Sequence, residues 1–317
     1  MTEYAHTPVL LDETLSFLAP KGKNELMVDA NVGEGGHSFE FLSRFDDLKI
    51  IAIDADGDIL AVAKERLAKF TDRVHFYSGW SHDFFADYPS QFKRPDIILF
   101  DLGVSSYHYK KSGRGFSFEK EEFLDMRLDS SAGMTAADLL ARLPERELAD
   151  LLFNNAGERF SRRIASLIVN ERQKATITTT SALADLVQRA VPASYRHGPI
   201  HPATRTFQAL RIAVNGELSR LQSLLEAALR VLEPGGRLGV ISFHSLEDRI
   251  VKNFFRSMNK NCTCPKQAPI CKCGSRSINL LSKKGVTPGK DEIERNPPSR
   301  SARLRAVEKV LDGDNNG

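Results

Sequence analysis

Cysteine is scarce in this chain: four residues in 317, all between 262 and 273. That is too few and too clustered for a secreted disulfide scaffold. No run reaches the ~20 apolar residues that a spanning helix needs. The first residues, Met1-Thr-Glu-Tyr-Ala-His6, have no basic region followed by an apolar stretch, so no signal peptide is expected and a cytoplasmic location is. Tryptophan occurs once, at Trp80. There is no internal repeat and no low-complexity tract. What remains is ordinary globular composition, 41% hydrophobic and 27% charged, long enough for one large domain or two.

The net charge of +3 conceals an asymmetry. Between Arg249 and Arg305 there are 14 Lys/Arg against 3 Asp/Glu, while the rest of the chain has 30 basic and 38 acidic residues. A basic segment on an acidic body is either a face for a polyanion or a solvated lysine-rich surface.

Apolar runs alternate with helical spacing in the first third. Leu26 to Ala30, Lys49 to Asp54, Arg73 to Tyr77 and Pro95 to Asp101 read as strands, with helices at Ser38 to Phe45 and Asp58 to Phe70. Strands apolar on both faces and separated by helices predict a parallel sheet covered by helices. The next strand, Arg237 to Ser242, follows a helix from Glu217 to Leu232 and is separated from Asp101 by 135 residues. A crossover needs far fewer, so an inserted domain is expected. Its helices are read at Thr135–Leu143, Glu145–Asn154, Ser161–Arg172 and Ser181–Ala190. A helix at Leu246–Ser257 and strands at Ile278–Leu281 and Leu304–Val310 follow, and Asp312–Gly317 reads as a disordered tail.

The turn after the first strand reads Asp29-Ala-Asn-Val-Gly33-Glu-Gly35-Gly36-His37. Glycines at a strand-to-helix turn let a ligand approach the backbone. Asp54, at the tip of the second strand, is placed to accept the hydroxyl protons of a ribose. A dinucleotide and S-adenosylmethionine both fit. The dinucleotide fingerprint wants a third glycine where Ser38 stands. Asp101 ends the fourth strand and belongs to the same crevice, because ligands in doubly wound folds lie beyond the carboxyl ends of the strands. Trp80 is either an adenine platform or a core-edge aromatic.

Several segments together resemble one bacterial family. They are His6-Thr-Pro-Val-Leu-Leu-Asp-Glu13, Gly35-Gly-His-Ser38, Asp101-Leu-Gly-Val-Ser-Ser106, Arg114-Gly-Phe-Ser-Phe118, Leu124-Asp-Met-Arg127, His201 to Arg211, Ser242 to Arg249 and Arg300 to Arg305. The family is the ribosomal small-subunit (16S) RNA cytosine-N4 methyltransferases, the MraW-like family, and the resemblance spans residue 6 to about 306. It implies methyl transfer from S-adenosylmethionine to the exocyclic amine of a cytosine at the decoding centre. Its cofactor contacts fall on Gly35, Gly36, His37, Asp54 and Asp101. Trp80 stands where the family usually has phenylalanine, His108 where glutamine is common, and Asn31-Val-Gly-Glu34 replaces an aromatic-Gly-basic run.

The lone pair of a cytosine amine is delocalised into the ring, so the site must accept its protons and aim it at the methyl group. The Asn/Asp-Pro-Pro-aromatic tetrad of many amino methyltransferases is missing from the fourth strand. Asn296-Pro-Pro-Ser299 is the nearest run and reads as a loop. Asp101 is therefore assigned the catalytic role, with Ser105 and Ser106 on the substrate side or capping a turn. Phe243 and His244 are candidates for stacking on a flipped base, with a structural histidine as the alternative. His201 and Arg205 are candidates for the RNA, Arg205 through a phosphate or else as an interdomain ion pair. Cys262, Cys264, Cys271 and Cys273 form two C-x-C pairs, spaced unlike the usual C-x₂-C zinc site. Reduced surface thiols or a redox-labile hairpin are equally open, and no metal is assigned.

The expected fold is an α/β doubly wound, Rossmann-like S-adenosylmethionine-dependent methyltransferase sheet. Residues 1–106 and 206–311 would form the catalytic domain and 107–205 an inserted helical substrate domain. The expected partner is small-subunit ribosomal RNA or a ribosomal particle, with no membrane. A nucleotide-dependent oxidoreductase and a non-enzymatic RNA-binding assembly factor are the competing readings.

Overall fold

The computed structural model describes residues 7–131, 133–198, 200–260 and 276–311. The cysteine segment and the last six residues, with the zinc and tail expectations attached to them, lie outside these. Two compact units are present, one formed by residues 1–104 with 220–317 and the other by 105–219.

The first unit holds a seven-stranded sheet: β1 (Leu26–Asp29), β2 (Lys49–Asp54), β3 (Val74–Ser78), β4 (Ile97–Asp101), β5 (Arg237–Ser242), β6 (Ile278–Leu280) and β7 (Arg303–Lys309). The order is β3-β2-β1-β4-β5-β7-β6. The first five strands are parallel, whereas β7 runs antiparallel to β5 and β6 antiparallel to β7. The sheet is thus doubly wound with an antiparallel edge.

Period-two alternation explains why both faces are apolar. Leu26, Val28, Ile51, Ile53, Ile98, Phe100, Leu238 and Val240 point to one core, which the helices Glu217–Val231 and Ser245–Met258 close. Met27, Ile50, Ala52, Ile97, Leu99 and Ile241 point to the other, shared with Phe41, Leu60 and Ala63 of the helices Gly36–Arg44 and Gly57–Arg66. Truncating a fully buried ring such as Phe100 to alanine would cost about 3–5 kcal/mol.

Helix ends are closed by cations. Arg94 donates to the carbonyls of Arg230, Val231 and Leu232, and Lys309 Nζ to those of Leu229, Arg230 and Leu232. The last carbonyls of Glu217–Val231 lack partners within the helix, and two positive charges also complement its dipole. Arg73 does the same for Gly36–Arg44 through Leu42, Phe45 and Asp46.

The second unit is helical, with Ala136–Arg142, Glu145–Ala156, Ser161–Glu171, Thr180–Ala190 and Thr204–Asn215 around their own core. Its bounds, 105 and 219, differ from the expected 107 and 205. The C-terminal bound moves because Thr204–Asn215 is a helix that places Phe207, Ala209 and Leu210 in this core. Asn215, buried at its end, fastens the preceding loop, donating to the Met126 carbonyl at 2.8 Å and accepting from Leu128 N–H at 2.8 Å.

Candidate active site

Register places three carboxylates on one edge of the sheet. Asp29 ends β1 and pairs with Ala52 of β2 and Leu99 of β4, so Asp54 and Asp101 each lie two residues further along their strands. Beyond that edge the chain turns through Gly33 and Gly35, at φ +52° and +77°. An L side chain rarely adopts either value. A β-carbon on Gly33 would meet nothing within 4 Å, whereas one on Gly36 would lie 2.7 Å from Pro8 Cγ. The first glycine therefore leaves open space, and the last lets helix and N-terminal segment pack.

Asp54 anchors this turn. Its Oδ2 accepts from Gly33 N–H at 2.9 Å and its Oδ1 from Asp56 N–H at 3.0 Å. A carboxylate oxygen can accept more than one hydrogen bond. Asp29 is buried and accepts from Ser38 Oγ at 2.6 Å. Burial first, then the nearby Asp54, raises its carboxyl to about 6 against the Ser38 and Asn31 hydrogen bonds. Asp101 is lifted further, to about 8, by burial and then by Asp29, with Glu247 adding to this and the Gly103 N–H opposing it. Its Oδ1 is buried without a hydrogen-bond partner, as is Asn31 Oδ1 in the same turn.

His37 lies beside Asp101. The ring is 6% exposed, with Nε2 3.0 Å from the Val9 carbonyl oxygen and Nδ1 3.6 Å from Asp101 Oδ2. Trp80 caps the start of the short helix Ser81–Ala86 and is half-buried, with the Arg220 guanidinium 5.4 Å from its ring centre.

Residues 3–310 match the MraW methylase family. The chain belongs to it. The curated relatives include the ribosomal RNA small subunit methyltransferase H of Treponema denticola, 56% identical over 96% of this chain and 97% of that protein. Those of Treponema pallidum and Heliobacterium mobile are 42% and 43% identical, over 96% and 97% of this chain and 92% and 100% of theirs. As a member of this family the protein is a methyltransferase that uses S-adenosylmethionine.

The residues present fit that group. Its ammonium, adenine amine and ribose hydroxyls are all donors, and the sheet edge offers the carboxylate of Asp54 and the buried, unpartnered oxygen of Asn31, with Asp101 beside them. Asn31 Oδ1 is thus a further acceptor, which the spacing of the motif did not suggest.

The remaining candidates separate by unit. His244 is the N-cap of Ser245–Met258: Nδ1 accepts from Glu247 N–H at 3.5 Å, and Nε2 lies 3.2 Å from Glu247 Oε1. Glu247 in turn accepts from the Phe243 and His244 amides. In this geometry His244 is a capping histidine, the structural alternative named from the sequence. Phe243 is half-buried with one ring edge on the Gly103 backbone. In the helical unit, Ser105 caps the helix Ser106–Lys110 by accepting from Tyr107 N–H at 3.2 Å, with Ser106 as its first residue. His108 is buried with its ring 5.2 Å from that of Phe116. His201 stacks on Phe118 at 4.4 Å and contacts Gln188 at 2.9 Å, and Arg205 donates to Tyr195 Oη, itself 3.2 Å from Glu158 Oε2. Asn296-Pro-Pro-Ser299 is not a loose loop. Pro297–Ser301 forms a 3₁₀ turn, and the Asn296 amide donates to the Thr7 carbonyl.

Proposed function

We propose that this protein, in the cytoplasm, methylates the exocyclic N4 of a cytosine near the decoding centre of small-subunit ribosomal RNA, with the RNA or the ribosomal particle as its partner. The observation that carries this reading is Asp101. It ends β4, at the sheet edge where doubly wound folds bind ligands, and it offers one buried oxygen with no partner. That oxygen is an acceptor for an amine proton. The relatives' printed activity on small-subunit ribosomal RNA supports the substrate class.

S-adenosylmethionine, when bound, supplies an electrophilic methyl group. The chain does the rest. Asp54 holds the glycine turn and accepts ribose hydroxyls. Trp80 offers an aromatic face to adenine. Asp101 accepts an N4 proton and so localises the nitrogen lone pair for attack. In the helical unit, Ser106, His201 and Arg205 are assigned to the RNA.

The test is nucleoside mass spectrometry of 16S RNA from a strain lacking the gene, with restoration by purified protein on naked RNA and on small-subunit particles. Loss and return of an N4-methylated cytidine is expected. An unchanged nucleoside profile would overturn the reading.

A further inference from the structure

A purine binds best to a flat surface that is already in place, and one cation in the structure is positioned to hold such a surface. We propose that Arg220 braces Trp80: its guanidinium covers one face of the indole and fixes the ring as a platform for the adenine of S-adenosylmethionine on the other. The inference rests on the reading of Trp80 as the adenine platform and adds the residue that positions it.

The backbone ties Trp80 to the ribose acid. β3 pairs with β2 so that Ser78 lies opposite Asp54, and the next residue, Gly79, donates its N–H to the Asp54 carbonyl at 2.8 Å. Trp80 follows directly and opens the helix Ser81–Ala86, accepting at its carbonyl from the Asp83 and Phe84 N–H groups. The main chain is thus fixed on both sides of the residue. What remains free is rotation of the indole about its own side-chain torsions.

The Arg220 guanidinium lies 5.4 Å from the centre of that ring. A cation at this range is attracted by the quadrupole of the aromatic face, and tryptophan attracts it most strongly of the three aromatic residues. Arg220 stands in the first turn of Glu217–Val231, where the helix dipole opposes a positive charge. Its own helix therefore does not account for its place, and the indole face does. That helix closes one face of the sheet through Leu221, Leu224 and Leu225. Asp54 follows Ile50 and Ala52 at period two, and those two point to the other face. Guanidinium and ribose acid thus approach the indole from opposite sides of the sheet, which leaves the Asp54 side of the ring to the ligand.

His82 is the second ring at this corner. Its centre is 5.9 Å from that of Trp80 with the planes tilted by 45°, so it meets the indole without stacking on a face. Its Nε2 lies 3.1 Å from Asp83 Oδ1. Burial holds the imidazole below its ordinary range against the pull of Asp83, and the Arg220 charge adds to the lowering. The charge of Arg220 is therefore felt at both rings, and the neutral imidazole does not compete with it for the indole. Arg220 touches no reacting atom in this scheme. It acts through Trp80 and is a positioning residue.

Calorimetry and fluorescence on the full-length protein test this without RNA, since Trp80 is the sole tryptophan. Arg220 is exposed, so Arg220→Gln removes the charge without opening a core. Its affinity for S-adenosylhomocysteine should fall about 2–5-fold, the size of an exposed cation–π contact. The same factor should appear with 5′-methylthioadenosine, which keeps the adenine and lacks the amino acid. Acrylamide should quench the emission of ligand-free Arg220→Gln more steeply than that of wild type, because one face of the ring is uncovered. Arg220→Lys keeps the charge and should recover part of both effects. In a Trp80→Leu background, Arg220→Gln should cause no further loss of affinity. Affinity or quenching unchanged in Arg220→Gln, a lysine variant no better than glutamine, or an equal loss with Trp80→Leu already in place would each overturn the brace. The reading beneath it fails in a different way, by Trp80→Leu alone leaving the affinity for S-adenosylhomocysteine intact. The methylation reading is untouched by either result, because it fails only if wild-type protein methylates no cytosine.

Discussion

The edge of the Phe243 ring rests on the backbone of Gly103, so closely that a β-carbon there would lie 2.6 Å from Cε2 and 2.9 Å from Cδ2. Gly103 follows β4, and Phe243 follows β5, its parallel neighbour. The contact therefore sets how the two strand ends emerge beside Asp101. Gly103→Ala should destabilise the protein by about 1–3 kcal/mol through overpacking. In a Phe243→Leu background the same change should cost less. Urea unfolding of the four variants in a double-mutant cycle measures the coupling.

Asp54→Ala should lower affinity for S-adenosylmethionine by at least ~10-fold, since each charged hydrogen bond is worth ~1.5–3 kcal/mol. Asp54 also holds the Gly33 and Asp56 amides, so the loss combines direct contact with loosening of the turn. Asp54→Asn, which keeps one acceptor, should fall between the two. Trp80 is the sole tryptophan, and its emission should change saturably as S-adenosylhomocysteine is added. Calorimetry gives the dissociation constants independently. An unchanged constant in folded Asp54→Ala would remove Asp54 from the site.

Asp101→Asn should be more stable than wild type, and increasingly so as pH rises. The folded carboxyl sits at about 8, above its ordinary 3.8. The folded chain therefore holds this proton more tightly than the unfolded chain. That contribution is complete below pH 4 and is lost as pH climbs through 8. An amide cannot ionise and suffers no such loss. The difference in melting temperature should be small at pH 4 and reach about 2 °C or more at pH 8. Asp29, raised to about 6, should show a narrower window between about 4 and 6. A difference independent of pH would mean that Asp101 is not strained toward its acid form.

RNA affinity should fall with salt, and neutralising Lys266, Lys272, Lys283 and Lys284 together should flatten that dependence. Each phosphate that the variant leaves unneutralised reduces the slope of log affinity against log salt by ~0.7–0.9. Filter binding between 50 and 300 mM salt, on the order of the range where such slopes are measured, decides it. A slope that does not move would make the basic segment a solvated surface.

The strands were legible because they are apolar on both faces and end in acids. β2 and β5 fall at the expected residues, and the other strands within about two. The helix Thr204–Asn215 was obscured by the polar residues His201, Arg205 and Arg211, which suggest a binding segment. Its signal was there in Phe207, Leu210 and Val214 at helical spacing, closed by Gly216 at φ +62°. In the site, Asp54 and Asp101 could be read from strand tips. His244 and Ser105 could not be told from substrate ligands, because a cap and a contact use the same polar atoms. Only the hydrogen bonds to Glu247 and Tyr107 separate them. The His37–Asp101 pairing joins residues 64 positions apart through side-chain direction, which no spacing encodes.

The insertion between β4 and β5 also sets an order of assembly. β5 must find β4 across 135 intervening residues, so closing that loop carries a large entropic penalty before any strand pairing rewards it. The helical unit has no such wait: neighbouring helices such as Glu145–Ala156 and Ser161–Glu171 pack on one another. Early helical folding shortens the effective loop and brings the two strands within reach. The antiparallel pair β6 and β7 can add only after β5 is in place, because β7 uses β5 as its template. The crevice edge that carries Asp101 is thus completed late, and refolding should show a fast helical phase followed by a slower one in which the sheet closes.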